Sequence, residues 1–291
     1  MESALFISNA RHLNLIENPQ ALKSWPSQVT APPDMTFTRI YFGQEFCERA
    51  IPQIADVLQA MDLAHQQRKK FTLVTPYVTE SGLKKLTNIF EQLQQIYPNC
   101  EVVVNDWGVL HLLRRQFPRL TPILGRLLNK MWRDPRIEFF LKEFSPEELQ
   151  LFRTCGLASP YMQDLMKRLA VKRIEVDNLP QGLDPSLASW GFQVSLYLPF
   201  GCISTGRICF SGSWGLKPKE KFKANAQKCG QQCQSHWLEI LEPACTKAKI
   251  KRILQKGNTL FYLQTNKFME DVLSRSGDLG ISRIIYQPTP L

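Results

Sequence analysis

The chain has 291 residues, 44% of them hydrophobic, which is enough to bury the core of one large domain. Its formal net charge of +10 arises from 36 basic and 26 acidic residues, so the surface carries both signs. No apolar run approaches the roughly 20 residues that a membrane-spanning helix needs, and the N-terminus lacks the basic region of a secretory signal. We therefore expect a cytoplasmic protein, whose cysteines bind metals or react more often than they form disulfides.

In chain order, residues 1–36 are predicted to form an irregular lead-in, because four prolines interrupt any long element. Residues 37–291 are predicted to form one domain. It begins with a strand at 38–42, rich in β-branched and aromatic residues, followed by apolar residues at helical spacing over 48–64. Two further strand–helix pairs are predicted, with strands at 71–74 and 101–104 and helices at 83–93 and 107–113.

Three strand–helix pairs at intervals of about 30 residues favour βαβ crossovers and a parallel sheet. Beyond them, helices are predicted to begin at Ser145-Pro146 and Ser159-Pro160, where a capping hydroxyl precedes a first-turn proline. The other predicted elements are strands at 174–176, 194–198, 259–263 and 284–286 and a helix from residue 266. This pattern fits an α/β fold of the TIM-barrel type, a (β/α) barrel, with a cysteine-rich metal-binding loop region at 200–235.

Basic residues concentrate in three stretches of the sequence. The first runs from residue 111 to residue 136. The other two are Lys217, Lys219, Lys221 and Lys223, and then Lys247, Lys249, Lys251, Arg252 and Lys256. A solvated face that also balances an anionic cofactor is the favoured interpretation, because no block of like charge is uninterrupted and no RNA-binding signature accompanies it. Attraction of RNA, acidic lipid or a carboxylate substrate is the alternative.

Polar side chains follow several predicted strands at the point where each strand ends. They are Glu45, Cys47, Thr75, Tyr77, Asn105, Asp106, Asp177 and Asn178. In a barrel of parallel strands these ends share one face, and that face carries the active site. Asn105, Asp106 and Asp177 are therefore candidates for orienting a substrate. Strand-to-helix loops are polar in most α/β proteins, so the cysteines carry more weight than these residues.

The eight cysteines are unevenly spaced along the chain. Six residues separate Cys202 from Cys209, and three separate Cys229 from Cys233, with Gly230 letting the backbone fold closely. Thiolates are soft donors, which suit an iron–sulfur cluster or zinc. The spacing leaves these two as alternatives, with ordinary buried thiols as a third.

Several motifs resemble those of a known family. Residues 205–209, Thr-Gly-Arg-Ile-Cys, and 229–233, Cys-Gly-Gln-Gln-Cys, resemble the cysteine region of the peptidase U32 family. Residues 40–47, Ile-Tyr-Phe-Gly-Gln-Glu-Phe-Cys, and 103–109, Val-Val-Asn-Asp-Trp-Gly-Val, resemble that family's N-terminal strand motifs. The likeness is strongest to the shorter members of the family and runs in patches from residue 39 to residue 233.

The resemblance implies a barrel-like fold and a 4Fe–4S cluster. Position by position, the implied ligands are Cys47, Cys209, Cys229 and Cys233, with Cys202 as the alternative to Cys47. It also implies an oxygen-independent hydroxylation system, either in ubiquinone biosynthesis or acting on an RNA base, with prephenate as the oxygen donor. A hetero-oligomer with a longer relative of the same family is expected as well.

A peptidase role receives no support from the residues themselves. The sequence contains neither a His-Glu-x-x-His nor a Gly-x-Ser-x-Gly motif. A peptidase-like or non-catalytic protein with structural zinc is therefore kept only as an alternative. The remaining cysteines are interpreted as structural thiols: Cys100, Cys155 and Cys245.

An anionic co-substrate needs cationic anchors, and four arginines are candidates for this role. They are Arg126, Arg133, Arg136 and Arg207. Guanidinium groups bind carboxylates through two parallel hydrogen bonds, which is why arginines rather than lysines are considered. The alternative for each is a pairing with a nearby acidic side chain of the protein, or for Arg207 the balancing of cluster charge.

Overall fold

The computed structural model describes residues 1–24, 36–221, 229–240 and 249–290. Three residues considered above, Lys223, Lys247 and Cys245, lie outside the described residues. The strands of the described part are β1 (Glu2–Ile7), β2 (Arg39–Gly43), β3 (Lys70–Val74), β4 (Glu101–Val104), β5 (Thr121–Leu124), β6 (Arg173–Asp177), β7 (Gln193–Leu198), β8 (Phe200–Thr205), β9 (Leu238–Ile240), β10 (Ile250–Lys256), β11 (Thr259–Gln264) and β12 (Ile281–Tyr286). Its α-helices are α1 (Asn14–Glu17), α2 (Ile54–Gln66), α3 (Glu80–Ile96), α4 (Trp107–Gln116), α5 (Pro146–Arg153), α6 (Pro160–Arg168) and α7 (Asn266–Ser274).

Eight of these strands close into a parallel barrel. Their order around the barrel is β1, β12, β7, β6, β5, β4, β3 and β2. Most strand residues are buried, as expected when helices cover the outside of a parallel sheet and side chains fill the inside. The structure therefore has the TIM-barrel-like α/β architecture that the strand–helix pattern predicts.

The first barrel strand lies inside the segment predicted to be an irregular lead-in. Four of the six residues of Glu2–Ile7 are buried, and the strand pairs with β2 on one side and β12 on the other. The prolines that suggested irregular structure all come after this strand, from Pro19 onward. The lead-in prediction is therefore wrong for these residues, which close the barrel.

The helices begin and end near the predicted positions. The largest difference, at the start of α2, has a cause in the local sequence. The helix predicted from residue 48 begins at Ile54 instead, because Pro52 lies inside the predicted range and a short 3-10 turn precedes it. At the start of α5, Ser145 Oγ accepts from Glu148 N over 3.2 Å, and Glu148 Oε2 accepts from Ser145 N over 2.8 Å. This reciprocal capping confirms the predicted helix start.

The longest α-helix of the described residues, α3, has 17 residues. No helix in the described part of the chain combines the length and the apolar character that crossing a membrane requires.

A second sheet is inserted between β7 and β12. It contains four antiparallel strands in the order β8, β11, β10, β9. Residues 259–263, predicted as a strand, belong to this sheet as part of β11 and not to the barrel. The sheet contacts the C-terminal mouth of the barrel, where Tyr262 Oη donates to Asn178 O beyond the end of β6 over 2.5 Å.

The N-terminal end of the barrel is closed by an ion-pair network. Glu2 accepts from Arg39 over 2.9 Å and from Arg283 over 2.6 Å, and Arg283 also pairs with Glu101 over 2.7 Å. These contacts join β1, β2, β4 and β12, and they place the ion pairs at the end of the barrel opposite the loops that follow the strands.

Candidate metal centre

A cavity of about 430 Å³ lies where the inserted sheet meets the loops that follow β2 and β3. Cys47, Cys209, Cys229 and Cys233 all line it. Four cysteines that are as many as 186 positions apart in the sequence are thus brought to one place.

Two of these cysteines follow the ends of strands. Cys47 comes after β2 and directly precedes the 3-10 turn Glu48–Ala50. Cys209 comes after β8, and the 3-10 turn Ser211–Ser213 begins two residues later. The N–H of Gly212 donates to Cys209 Sγ over 3.2 Å. Such N–H···S bonds favour the thiolate over the thiol, because they place a positive dipole end at the sulfur.

The other two cysteines lie on the short loop before β9. Gln231 adopts a left-handed conformation with φ of 53°, and its N–H donates to Cys229 Sγ over 3.4 Å. Cys233 lies in the 3-10 turn Gln232–Gln234. The Gln231 side chain also donates to Arg49 O over 3.0 Å, which ties this loop to the loop that carries Cys47.

The turn between β10 and β11 completes the wall of the cavity. Gly257 has φ of 61°, and a Cβ added to it would lie 3.6 Å from Cys233 Sγ and 3.8 Å from Cys209 Sγ. Glycine is favoured here because it permits the left-handed backbone, which places this turn beside the two sulfurs.

Burial raises the pKa of the thiols at Cys47 and Cys209, and it raises the pKa of Cys233 to about 11. Neighbouring thiols raise these pKa values further, because each additional thiolate in the cavity repels the others. A bound cation or cationic cluster would remove both penalties, since thiolates are the ligand form.

Among the residues that the structure describes, no three His, Cys, Asp or Glu side chains form a group that could hold a metal ion. The four thiols thus line the walls of the cavity without forming a ready site for a single ion. The donor set, four cysteine sulfurs lining one cavity with N–H groups directed at two of them, is chemically compatible with the iron–sulfur cluster implied by the resemblance.

The rest of the cavity wall is cationic. Its described charged residues are Arg49, Arg207, Lys221 and Lys256, with Glu48 as the acidic one. Glu48 is engaged, because its Oε2 accepts from both N and Oγ1 of Thr79 at 2.6 and 2.9 Å. Lys256 is 8% exposed, and its Nζ donates to Pro290 O over 2.5 Å. The cavity is therefore suited to negative charge.

Cys202, the alternative ligand, is not among the residues that line this cavity. It lies on β8, is 1% exposed, and its N–H donates to Asp177 Oδ1 over 3.0 Å. Burial raises the pKa of its thiol to about 12. The structure thus places Cys47, and not Cys202, with the other three predicted ligands.

Arg126, predicted as a substrate anchor, is fully buried in the mouth of the barrel. Its Nε and Nη2 donate to the two carboxylate oxygens of Glu45 over 2.7 and 2.8 Å. Nη1 donates to Asp177 Oδ1 over 2.8 Å and to Phe200 O over 3.2 Å, and Nη2 also donates to Gln287 Oε1 over 3.0 Å. All five N–H groups are used, so this guanidinium has none left for a substrate.

Arg133 belongs to the same network. Its Nε donates to Asp177 Oδ2 over 2.8 Å, and its Nη2 donates to the backbone oxygen of Arg126. Burial opposes ionisation of Asp177, but the two guanidinium groups outweigh burial and lower its pKa. Asp177 and Arg133 therefore act inside the protein, and the substrate roles predicted for them do not match these positions.

The other residues predicted to bind a substrate do not lie together in the structure. Arg136 is largely exposed and pairs with Asp134 over 2.6 Å. Asn105 is buried and bonds to Thr75 O and Leu127 N, while Asp106 caps α4 by accepting from Gly108 N over 2.7 Å. Of the four arginine candidates, only Arg207 lines the cavity.

Nothing in the sequence indicated that Asn258 belongs to the cavity wall, whereas Lys256 was noted only as part of a basic stretch. Both belong to the hairpin between β10 and β11. The dipeptide Gly257-Asn258 between two β-rich runs is a hairpin signal, so the turn itself could have been predicted, but not its position beside the cysteines.

The sequence matches no known family description, and no curated protein matches it at a significant level. Among solved structures, it is similar to a U32 peptidase with 12% identity and a TM-score of 0.41, over 100% of this chain and 94% of that one. It is also similar to a glycoside hydrolase family 18 N-acetylglucosaminidase from Paenibacillus barengoltzii, with 8% identity and a TM-score of 0.36, over 98% and 94% of the two chains. Both similarities are too low to indicate function, and the barrel assignment rests on the strand pairing of this chain.

Proposed function

We propose that this chain holds a 4Fe–4S cluster on Cys47, Cys209, Cys229 and Cys233 and works in an oxygen-independent hydroxylation system. The observation that carries the proposal is the gathering of these four thiols around one cavity. The N–H groups directed at Cys209 and Cys229 and the cationic wall support it, because a cluster with four thiolates carries net negative charge.

The four protein ligands favour electron transfer, because they would leave no iron open to a substrate. When bound, the cluster would supply reversible one-electron chemistry. The four cysteines of the chain would hold the cluster, and Arg207, which lines the same cavity, would bind an anionic molecule there. The hydroxylation role comes from the resemblance to the shorter members of the U32 family, including those of ubiquinone biosynthesis.

Single Cys→Ser replacements at 47, 209, 229 and 233 are expected to remove most of the bound iron after anaerobic reconstitution. Cys202→Ala is the control, since Cys202 is close to Cys209 in the sequence but its thiol lies outside the cavity. It is expected to keep its iron. Iron and sulfide per chain and the visible absorption spectrum measure the outcome. The variants that lose the cluster are also expected to lose oxygen-independent hydroxylation, whereas Cys202→Ala keeps it.

Retention of iron in Cys47→Ser together with its loss in Cys202→Ala would contradict the ligand set and restore the alternative. One zinc per chain in every variant that still binds metal would favour a structural zinc site instead.

A further inference from the structure

We infer that Asn258 is a positioning residue of the candidate metal centre, because its side chain forms hydrogen bonds to both loops that carry Cys47 and Cys209. No cysteine motif includes it, and it is not itself a ligand. Its place at the tip of the β10–β11 hairpin lets one amide group reach both loops.

The Asn258 amide forms short hydrogen bonds to residues from three different parts of the chain. Nδ2 donates to Phe46 O over 2.7 Å, directly before Cys47 in the sequence. It also lies 2.7 Å from Gly206 O, three residues before Cys209, and 2.8 Å from Tyr77 Oη. Phe46 O belongs to the loop after β2 and Gly206 O to the loop after β8, so one side chain bridges the two loops.

Tyr77, on the loop after β3, takes part in the same group of hydrogen bonds. Its hydroxyl accepts from Asn258 and donates to Gly206 O over 2.6 Å. The guanidinium of Arg207 lies over its ring, with 5.5 Å between the guanidinium carbon and the ring centroid. Three loops therefore meet at a single hydrogen-bonded point beside the thiols.

The backbone of the same turn forms hydrogen bonds to residues before and after Cys209. Gly257 O accepts from Phe210 N over 3.0 Å, and Gly206 N donates to Asn258 O over 3.2 Å. The residues on both sides of Cys209 are thus bound to this turn. The hairpin tip is thus bonded to the loop that carries Cys47, through Phe46 O, and to residues on both sides of Cys209.

This role predicts a defect that a general loss of stability would not produce. Asn258→Ala removes the bridge between the loops but leaves all four cysteines in place. Asn178→Ala is the control, because Asn178 is a buried asparagine of the same barrel mouth with two comparable bonds, to Gln264 Oε1 over 2.8 Å and Phe268 O over 3.2 Å. It contacts no cysteine loop through these bonds.

The first readout uses metal-free protein and is independent of the proposed cluster. A short bifunctional thiol reagent, followed by peptide mass spectrometry, is expected to cross-link Cys47 to Cys209 in the wild type and in Asn178→Ala. Asn258→Ala is expected to lose most of this cross-link. Equal cross-linking in all three proteins, or none in the wild type, would overturn the inference.

The second readout rests on the proposed function. After anaerobic reconstitution, Asn258→Ala is expected to lose iron to a chelator at least about tenfold faster than the wild type, as is common when a group that orients a ligand is removed. Asn178→Ala is expected to match the wild type. A wild type that binds no cluster contradicts the proposed function alone, because the cross-link then still decides the role of Asn258.

Discussion

Arg126→Met is expected to lower the free energy of unfolding by about 3–5 kcal/mol, the cost typical of breaking a buried ion pair from one side. The reason is that Glu45 and Asp177, both fully buried, would lose their shared counter-charge. Methionine keeps much of the apolar volume against the Tyr197 ring, which lies 3.8 Å from the guanidinium carbon, so the loss is mainly electrostatic. Chemical denaturation of the metal-free proteins at neutral pH measures it.

Arg136→Ala is the matched control for that experiment. Its guanidinium is 67% exposed and pairs with Asp134 on the surface, so its removal is expected to change stability by less than about 1 kcal/mol. Arg126→Lys retains the charge but loses most of the hydrogen bonds, so its loss of unfolding free energy is expected to lie between those of Arg126→Met and Arg136→Ala. Equal stability of Arg126→Met and Arg136→Ala would refute the structural role assigned to Arg126.

Glu175→Gln is expected to stabilise the protein, and to do so more strongly at pH 8 than at pH 5. Glu175 is fully buried inside the barrel, where its Oε2 accepts from Tyr197 Oη over 2.7 Å and its Oε1 has no hydrogen-bond partner. Burial, followed by the negative charge of Glu45, raises the pKa of this carboxyl from 4.5 to about 8.

The direction of the pH effect follows from the protons bound in each state. Between about pH 4.5 and 8 the folded chain keeps a proton on Glu175 that the unfolded chain releases, so stability falls as pH rises through this window. Glutamine removes that loss, which amounts to roughly 3 kcal/mol at pH 7. Denaturation midpoints of both proteins across this pH range provide the measurement, and a gain that does not change with pH would contradict the account.

The barrel could be predicted because its strands carry local signals. Strands β2, β3 and β4 are short runs of β-branched and aromatic residues, and each precedes a helix with an apolar face. β1 was missed because its signal is brief and is followed by a proline-rich segment. The inserted sheet was missed because its partners are set by tertiary contacts, so residues 259–263 looked like another barrel strand.

The candidate site shows a similar division. Spacing pointed to Cys202, Cys209, Cys229 and Cys233, and only the resemblance added Cys47, which the structure places in the cavity while Cys202 lies outside it. The role of Arg126 could not be predicted, since an arginine in a basic segment gives no sign of burial, and its counter-ions Glu45 and Asp177 are 81 and 51 positions away. Asn258 was missed for the same reason, as its bonds to Phe46 and Gly206 span 212 and 52 positions.

The four thiols around one cavity are proposed to hold an iron–sulfur cluster. The most direct test is the metal content of the wild-type protein, purified without oxygen and analysed for iron, acid-labile sulfide and zinc. We expect a coloured protein with about four irons and about four sulfides per chain. A colourless protein with about one zinc, and neither iron nor sulfide after reconstitution, would contradict the claim.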